Sequence, residues 1–353
     1  MKFLAVLCVR NEAAFLLEWL AHHRAVGFTD FLVFSNDCQD GTDQMLDRLA
    51  ALGLITHIRN DGPYDKGGIQ FTALKQADRL ESVRAADWIL AFDVDEFVNI
   101  HVGNHRLPDL LGALPEASAV TLTWRLFGNA DVVRYVDEPI TAQFTRAAPE
   151  VIYWPWRALM FKTLYRNDGT YKKLGVHRPR APDPTRIDTA RWFDAAGREL
   201  DAKFRTERIF NNYGRKNNDL AQLNHYPLGA MESYVVKADR GRAVHSDHLL
   251  DIDYWVERNF AAAEDTTIHA LAPEMAAERA RLMADPELAA LHHNAVAWRR
   301  ERFEILLQQE PFRALFGRLL MSQPTRPVSL KAAQFLVRHA NLARSRDNGP
   351  KGA

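Results

Sequence analysis

The densest grouping of chemistry-bearing side chains in this sequence is Trp88-Ile89-Leu90-Ala91-Phe92-Asp93-Val94-Asp95-Glu96-Phe97, an apolar run that ends in three carboxylates and resumes with phenylalanine. Three acids packed where a buried strand emerges repel one another and lose hydration, so the arrangement calls for a cation to neutralise them. Carboxylate oxygens are hard ligands, which selects Mg²⁺ or Mn²⁺. The structural alternative is that the acids cap a helix or face solvent. Three earlier apolar runs end in a related way: the first in Arg10-Asn11-Glu12, the second in Asn36-Asp37-Cys38-Gln39-Asp40, the third in Asn60-Asp61. Turn chemistry alone places Asn and Asp after strands. Four such endings in succession fit a stronger rule, that an open α/β sheet binds ligands beyond the carboxyl ends of its strands.

To deliver those endings to one edge, residues 3–124 must alternate strands with helices, and the hydrophobic periodicity does so. Strands are expected at 3–9, 30–35, 54–59, 88–92 and 119–124. Phe15, Leu16, Trp19, Leu20 and His23 recur at helical spacing, and Gly27 stands where that helix should stop. A second helix buries Met45, Leu46, Leu49 and Leu52 before Gly53, and a third is expected over residues 69–84 with Phe71, Leu74, Ala77 and Leu80 on one side. The fold class is therefore α/β, a mostly parallel sheet flanked by helices. Beyond Arg125 the pattern loosens into Trp-, Arg- and Pro-rich loops, and from about residue 253 to 320 an Ala-, Glu-, Arg- and Leu-rich composition implies a helical C-terminal extension. The expected division is 1–242, with halves 1–130 and 131–242, followed by a helical region 243–353.

At 353 residues the chain can bury a sizeable core, and its 45 basic and 45 acidic residues leave no basic excess that would recommend nucleic acid as a partner. Any function must come from local sites. Only two cysteines occur, Cys8 and Cys38, which argues against a disulfide framework or structural zinc and for a reducing, cytoplasmic setting. The opening apolar run is too short to span a membrane and lacks a signal-peptide cleavage pattern. Residues 313–353 hold eight Lys or Arg and one acid, Asp347. That tail reads either as a solvated helix and frayed end or as a surface that touches anionic lipid or glycan, which would put the protein on the inner membrane face.

No Gly-x-Gly-x-x-Gly is present, and Gly62-Pro63-Tyr64-Asp65-Lys66-Gly67-Gly68 lacks the Lys-Ser/Thr ending of a phosphate-binding loop. A haloacid-dehalogenase phosphatase also carries Asp-x-Asp after a strand, but there Thr or Val follows two residues later, where this chain has Phe97. Four blocks in order instead resemble the GT-A glycosyltransferases, and among them a bacterial family-2-like group related to family 92. They are Asn11-Glu12 with Glu18-Trp19-Leu20 and His23; Ser35-Asn36-Asp37 to Asp40-Gly41-Thr42; Gly68 and Gln70; and Ala86-Asp87-Trp88 into Asp93-Val94-Asp95-Glu96-Phe97.

The resemblance implies a nucleotide-sugar donor bound by Asn11, Glu12, Asp37, Asp40, Gln70 and Asp93, with Mn²⁺ or Mg²⁺ held by Asp93 and Asp95. A later block, Asn224-His225-Tyr226-Pro227 with Ser233, Lys237, Arg240 and Gly241, resembles the same family and implies His225 as the third metal ligand. The implied activity is transfer of a hexosyl unit, with inversion, to a hydroxyl of a glycan or lipid-linked acceptor in cell-envelope polysaccharide or lipopolysaccharide synthesis. A bound cation would meet the charge that develops on the departing diphosphate. For the base, Asp131 and Glu150 are the residues on offer, since the Glu-Asp pair found before a helix in many inverting relatives is not evident. Trp124, Trp154, Trp156 and Trp192 offer surfaces for stacking on sugars. Lys162, Lys172, Lys173, His177 and Arg178 offer charge for a diphosphate or an acidic acceptor, and His245-Ser246-Asp247-His248 suggests a metal pair only superficially. Two other classes compete: a noncatalytic nucleotide- or glycan-binding protein of the same fold, and a Mg²⁺-dependent phosphatase that would form a phosphoenzyme at Asp93.

Overall fold

Phe3–Val9 (β1), Asp30–Ser35 (β2), Thr56–Arg59 (β3) and Trp88–Ala91 (β4) form parallel strands, as expected from the periodicity, and they lie in the order β3-β2-β1-β4. The computed structural model describes residues 1–64, 67–240 and 250–347. Glu96–Ile100 (β5), Ala119–Leu126 (β6), Phe161–Arg166 (β7), Trp192–Asp194 (β8) and Ala221–His225 (β9) complete the sheet, which continues β4-β7-β6-β9-β5 while β8 pairs alongside β6. Three pairings, β4 with β7, β6 with β7 and β9 with β5, are antiparallel. The sheet is therefore mixed with a parallel majority.

Local chemistry accounts for the helices. Ala13–Val26 ends at Gly27, whose φ of 110° is left-handed and whose N–H reaches the carbonyls of Arg24 and His23. Thr42–Ala51 stops the same way ahead of Gly53, at φ 71°. The expected third helix is divided into Ile69–Ala77 and Glu81–Arg84, because Leu80 between them adopts an extended backbone at ψ 143°, while Asp78 accepts the N–H of Leu174. Helices occupy the C-terminal stretch as composition implied: Ile252–Val256, Ala272–Met283, Pro286–Leu307, Glu310–Met321 and Leu330–Asp347. They do not form a core of their own throughout, since Met275, Leu282, Leu288, Ala295 and Val296 join the apolar cluster of β1, β5 and the first helix. The expected boundary at 242/243 lies outside the described residues, as do Gly241 and His245 to His248.

The first helix is the support for the acidic turn. Trp19 donates its indole N–H to the carbonyl of Glu96, and His22 bonds through Nε2 to the carbonyl of Val98 at 2.8 Å. Both histidines of that helix are buried among Phe28, Phe92 and Phe97. Burial pushes His22 down from the ordinary 6.5 to about 4, with the Val98 carbonyl opposing. A pKa depressed by folding contributes stability above pH 6.5 that is lost as pH falls through about 4, roughly 3 kcal/mol in full. Urea unfolding of the parent should therefore show a larger loss between neutral pH and pH ~4.5 than His22→Gln, which can still donate to Val98. Equal losses would show that burial does not hold this ring neutral.

Candidate functional site

At the carboxyl ends of β1, β4, β6 and β9 lies a cavity of ≈ 410 Å³, within the range of small-molecule sites. Register explains how distant residues meet there. Antiparallel pairing sets His225, the last residue of β9, opposite Glu96, the first of β5, and the N–H of Tyr226 bonds to the carbonyl of Asp95 at 2.8 Å. His225 Nε2 consequently stands 3.7 Å from Asp95 Oδ1 across 130 residues of sequence.

The turn's negative charge is met by the chain itself. Lys237, from the helix Met231–Arg240, donates to Asp95 Oδ2 at 2.7 Å and to the Pro227 carbonyl at 2.7 Å. Lys162, from β7 and wholly buried, lies 2.9 Å from Asp93 Oδ2 and 3.7 Å from Glu96 Oε2. Glu96 also accepts from the backbone N–H of Asp93 at 2.8 Å and from the Trp124 indole at 2.5 Å. Burial works against the Asp95 carboxylate, but Lys237 and His225 outweigh it and hold its pKa well below the carboxylate range. At Glu96 burial wins: with Lys162 opposing and the neighbouring aspartates reinforcing, its carboxyl is pushed up to about 8. Burial likewise lowers His177 to about 4, leaving it a neutral wall residue whose Nδ1 faces the Phe161 carbonyl.

Six cationic side chains, Arg10, Arg157, Lys162, Lys237, Arg240 and Arg258, line the cavity against three carboxylates, Glu12, Asp93 and Asp95. The wall thus suits a polyanion. For a divalent cation the fit is a two-residue one. Asp95 Oδ1 and His225 Nε2 are close enough to share an ion, and His225 is buried with Nδ1 unpartnered among the described residues. Asp93 is engaged by Lys162 and, at 3.4 Å, by Gln70. Among the described residues no three acidic, histidine or cysteine side chains converge on one point. Mg²⁺ and its like are commonly bound in this manner, by one or two protein groups with phosphate and water completing the shell.

The remaining residues singled out from sequence fall unevenly. Glu12, Gln70, Asp93, Asp95 and His225 border the cavity, joined by Trp124, Lys162 and His177. Glu12 is paired with Arg240, which also bonds the Arg10 carbonyl and so stitches the β1 turn to the later helix. Asn11, at φ 54°, lies beside Asp95 in an adjoining apolar recess and accepts the N–H of Gln39. Asp37, at φ 47°, accepts from Tyr64 and does not border the cavity. Asp40 is buried, one oxygen on the N–H of Ala13 and the other on Thr42, so it clamps two helix starts together and does not face the cavity.

Asp131 sits exposed in a turn at φ 59°, and Glu150 pairs with Lys216 beside a separate small recess; neither borders the cavity. Trp154 and Trp156 pack on each other, and Trp192 is in the core. Lys172 pairs with Asp183, while Lys173 and Arg178 do not border the cavity. Sequence reading missed Arg10, Arg157 and Arg258 as cavity cations; Arg10 was legible as the first residue after β1. It also missed the device that fixes the β2 edge, where Ser35 Oγ meets His57 Nε2 at 2.8 Å and His57 Nδ1 meets Asp47 at 2.7 Å. With Ser35 buried, this relay braces the turn that carries Asn36 and Asp37.

The sequence profile described as glycosyltransferase family 92 matches residues 5–192, more than half of the chain. A glycosyltransferase family 92 protein of Oryza sativa subsp. japonica is 24% identical over 149 residues, 40% of this chain and 24% of that protein. One from Ricinus communis is 30% identical over 105 residues, 29% of this chain and 17% of that protein. The aligned stretches thus span a quarter or less of these relatives. The crystal structure of S. aureus TarS 1-349 in complex with UDP-GlcNAc is 16% identical and covers 89% of this chain and 84% of that chain, with a TM-score of 0.34.

Proposed function

Since the chain belongs to glycosyltransferase family 92, we propose that it moves a hexosyl unit from a nucleoside-diphosphate donor to a hydroxyl of a glycan or lipid-linked acceptor in cell-envelope polysaccharide or lipopolysaccharide assembly. The observation that carries this reading is the meeting of Asp95 and His225 in the floor of a cavity with twice as many cations as carboxylates in its wall. Asp95 and His225 hold Mn²⁺ or Mg²⁺, which when bound meets the charge developing on the departing diphosphate. Lys237, Arg240 and Arg258 attract the diphosphate, Asn11, Glu12 and Asp37 face the nucleoside, and Gln70 and Asp93 hold the ribose and sugar. Inversion is taken from the resemblance to inverting members; the three carboxylates in the wall, Glu12, Asp93 and Asp95, each have a cationic partner, and Asp131 and Glu150 stand outside the cavity. The two free thiols, Cys8 and Cys38, are consistent with a reducing compartment, and we place the reaction in the cytoplasm.

The test is a panel of nucleotide sugars scored by thermal shift and by donor consumption, with Mn²⁺, with Mg²⁺ and with chelator. One donor should raise the melting point in a cation-dependent way, since ligand at 100 times its Kd stabilises by about 2.7 kcal/mol. That donor should also be consumed. A shift without consumption would favour the noncatalytic binder; no shift with any donor would remove the reading altogether.

A further inference from the structure

We propose that the helix Leu330–Asp347 docks this protein on an anionic lipid surface, lying along it beside the mouth of the cavity. The proposal stands on the helix itself and not on donor chemistry. At 3.6 residues per turn, Ala333, Val337 and Ala340 share one side, where Ala333 is buried against the body. Ala332, Phe335, Leu336, His339 and Leu342 share the far side. There Phe335 is 62% and Leu342 49% exposed, fractions that mark an apolar stripe left largely uncovered by the described residues, Leu342 bordering a shallow recess with Tyr213. Lys331 and Arg338 run along one edge of it. Leu320 and Met321, at the end of the preceding helix, are also exposed.

Charge decides what occupies this face. Residues 311–347 contain seven Lys or Arg and one acid, Asp347, in a chain whose net formal charge is zero. A second copy would bring the same cations against these, so a symmetric dimer through the stripe is self-repelling. An anionic bilayer complements both features, since its headgroups take the basic edge and its acyl boundary takes Phe335 and Leu342. Among the described residues no helix is long and apolar enough to cross a membrane, so the contact is interfacial.

Position gives the contact a use. The connector to this helix is fastened through Thr325, which bonds the carbonyls of Asn259 and Val256. Those residues follow or end the helix Ile252–Val256, whose neighbourhood supplies Tyr254 and Arg258 to the cavity wall. Val256 is itself 49% exposed and extends the apolar surface toward the mouth. A hydroxyl acceptor anchored in the same bilayer would reach the cavity laterally.

Co-sedimentation of the full chain with phosphatidylcholine vesicles, with and without phosphatidylglycerol, tests this. The parent should pellet with the anionic vesicles only, and less so as salt rises. Phe335→Glu with Leu342→Glu, and separately Lys331→Glu with Arg338→Glu, should each weaken that binding by about tenfold or more while leaving the melting temperature unchanged, because these side chains are exposed. The proposal falls if the parent ignores anionic vesicles, binds neutral ones equally well, or is matched by both double variants. It also falls if light scattering finds a dimer that Phe335→Glu dissolves, which would assign the face to a second copy.

Discussion

Asp95→Asn should leave a folded protein whose donor turnover in Mn²⁺ is lower by about 10²–10³-fold, equivalent to about 2.7–4 kcal/mol of transition-state stabilisation. The change is nearly isosteric, and an amide oxygen can still accept from Lys237, which keeps its second acceptor at Pro227. What is lost is the charge that faces His225 at 3.7 Å, and with it one of the two groups proposed to hold the cation. Titrating Mn²⁺ separates this from a general loss of shape. Asp95→Asn should need at least about tenfold more Mn²⁺ for half-maximal donor consumption, the scale of loss seen when a metal site's support is damaged. Asp93→Asn, whose parent carboxylate is tied to Lys162 and Gln70, should slow turnover with little change in that midpoint. If Asp95→Asn retains parental turnover at parental Mn²⁺, the cation is bound elsewhere.

What could be read from the sequence is what is local in it. Asp93 and Asp95 are visible because an apolar strand and its turn are contiguous, and β1, β2 and β4 are visible because each is a run of side chains buried on both faces, whereas β3, Thr-His-Ile-Arg, is only partly covered. The strands that bring in the other half of the site carry no such pattern. β9 reads Ala-Gln-Leu-Asn-His, yet is buried throughout, because Gln222 and Asn224 satisfy one another and Asn224 further engages Asn99 and the Tyr226 hydroxyl. A buried amide ladder looks like a loop in a hydropathy pattern. His225 was legible only through the motif around it. β7, Phe-Lys-Thr-Leu-Tyr-Arg, hides in the same way, since Lys162 is buried in it for a reason supplied by Asp93, 69 positions away. The charge of the three acids is met in part by Lys162 and Lys237, whose places beside Asp93 and Asp95 could not be seen without register. Asp40 shows the converse, a polar residue in a motif whose bonds are all to helix starts.

Lys162→Met is expected to be the most destabilising single change near the site, by about 3–5 kcal/mol at alkaline pH, because it leaves Asp93 and Glu96 facing each other with a buried countercharge removed. The size must depend on pH, and the sign follows from Glu96. Its folded-state carboxyl is raised to about 8 from an ordinary 4.5, so the neutral form contributes stability that is complete below 4.5 and lost as pH rises through about 8. Removing Lys162 takes away the main group opposing that shift, so Glu96 should hold its proton to still higher pH. At about pH 6 the variant can relieve the repulsion by staying protonated; at about pH 9 it must either ionise an unpaired buried carboxyl or pay to keep it neutral. Urea unfolding should thus give a smaller penalty at the lower pH. Glu96→Gln placed on Lys162→Met should recover a good part of the loss at the higher one, a coupling that distant, independent sites would not show. The Trp124 indole and the N–H of Asp93 bond to different oxygens of Glu96, and Gln keeps an acceptor for only one of them, so any recovery in the double variant would come in spite of a lost contact and not from a new one. A penalty that is flat with pH, and additive with Glu96→Gln, would mean that Lys162 supports the acidic turn by filling space and not by its charge.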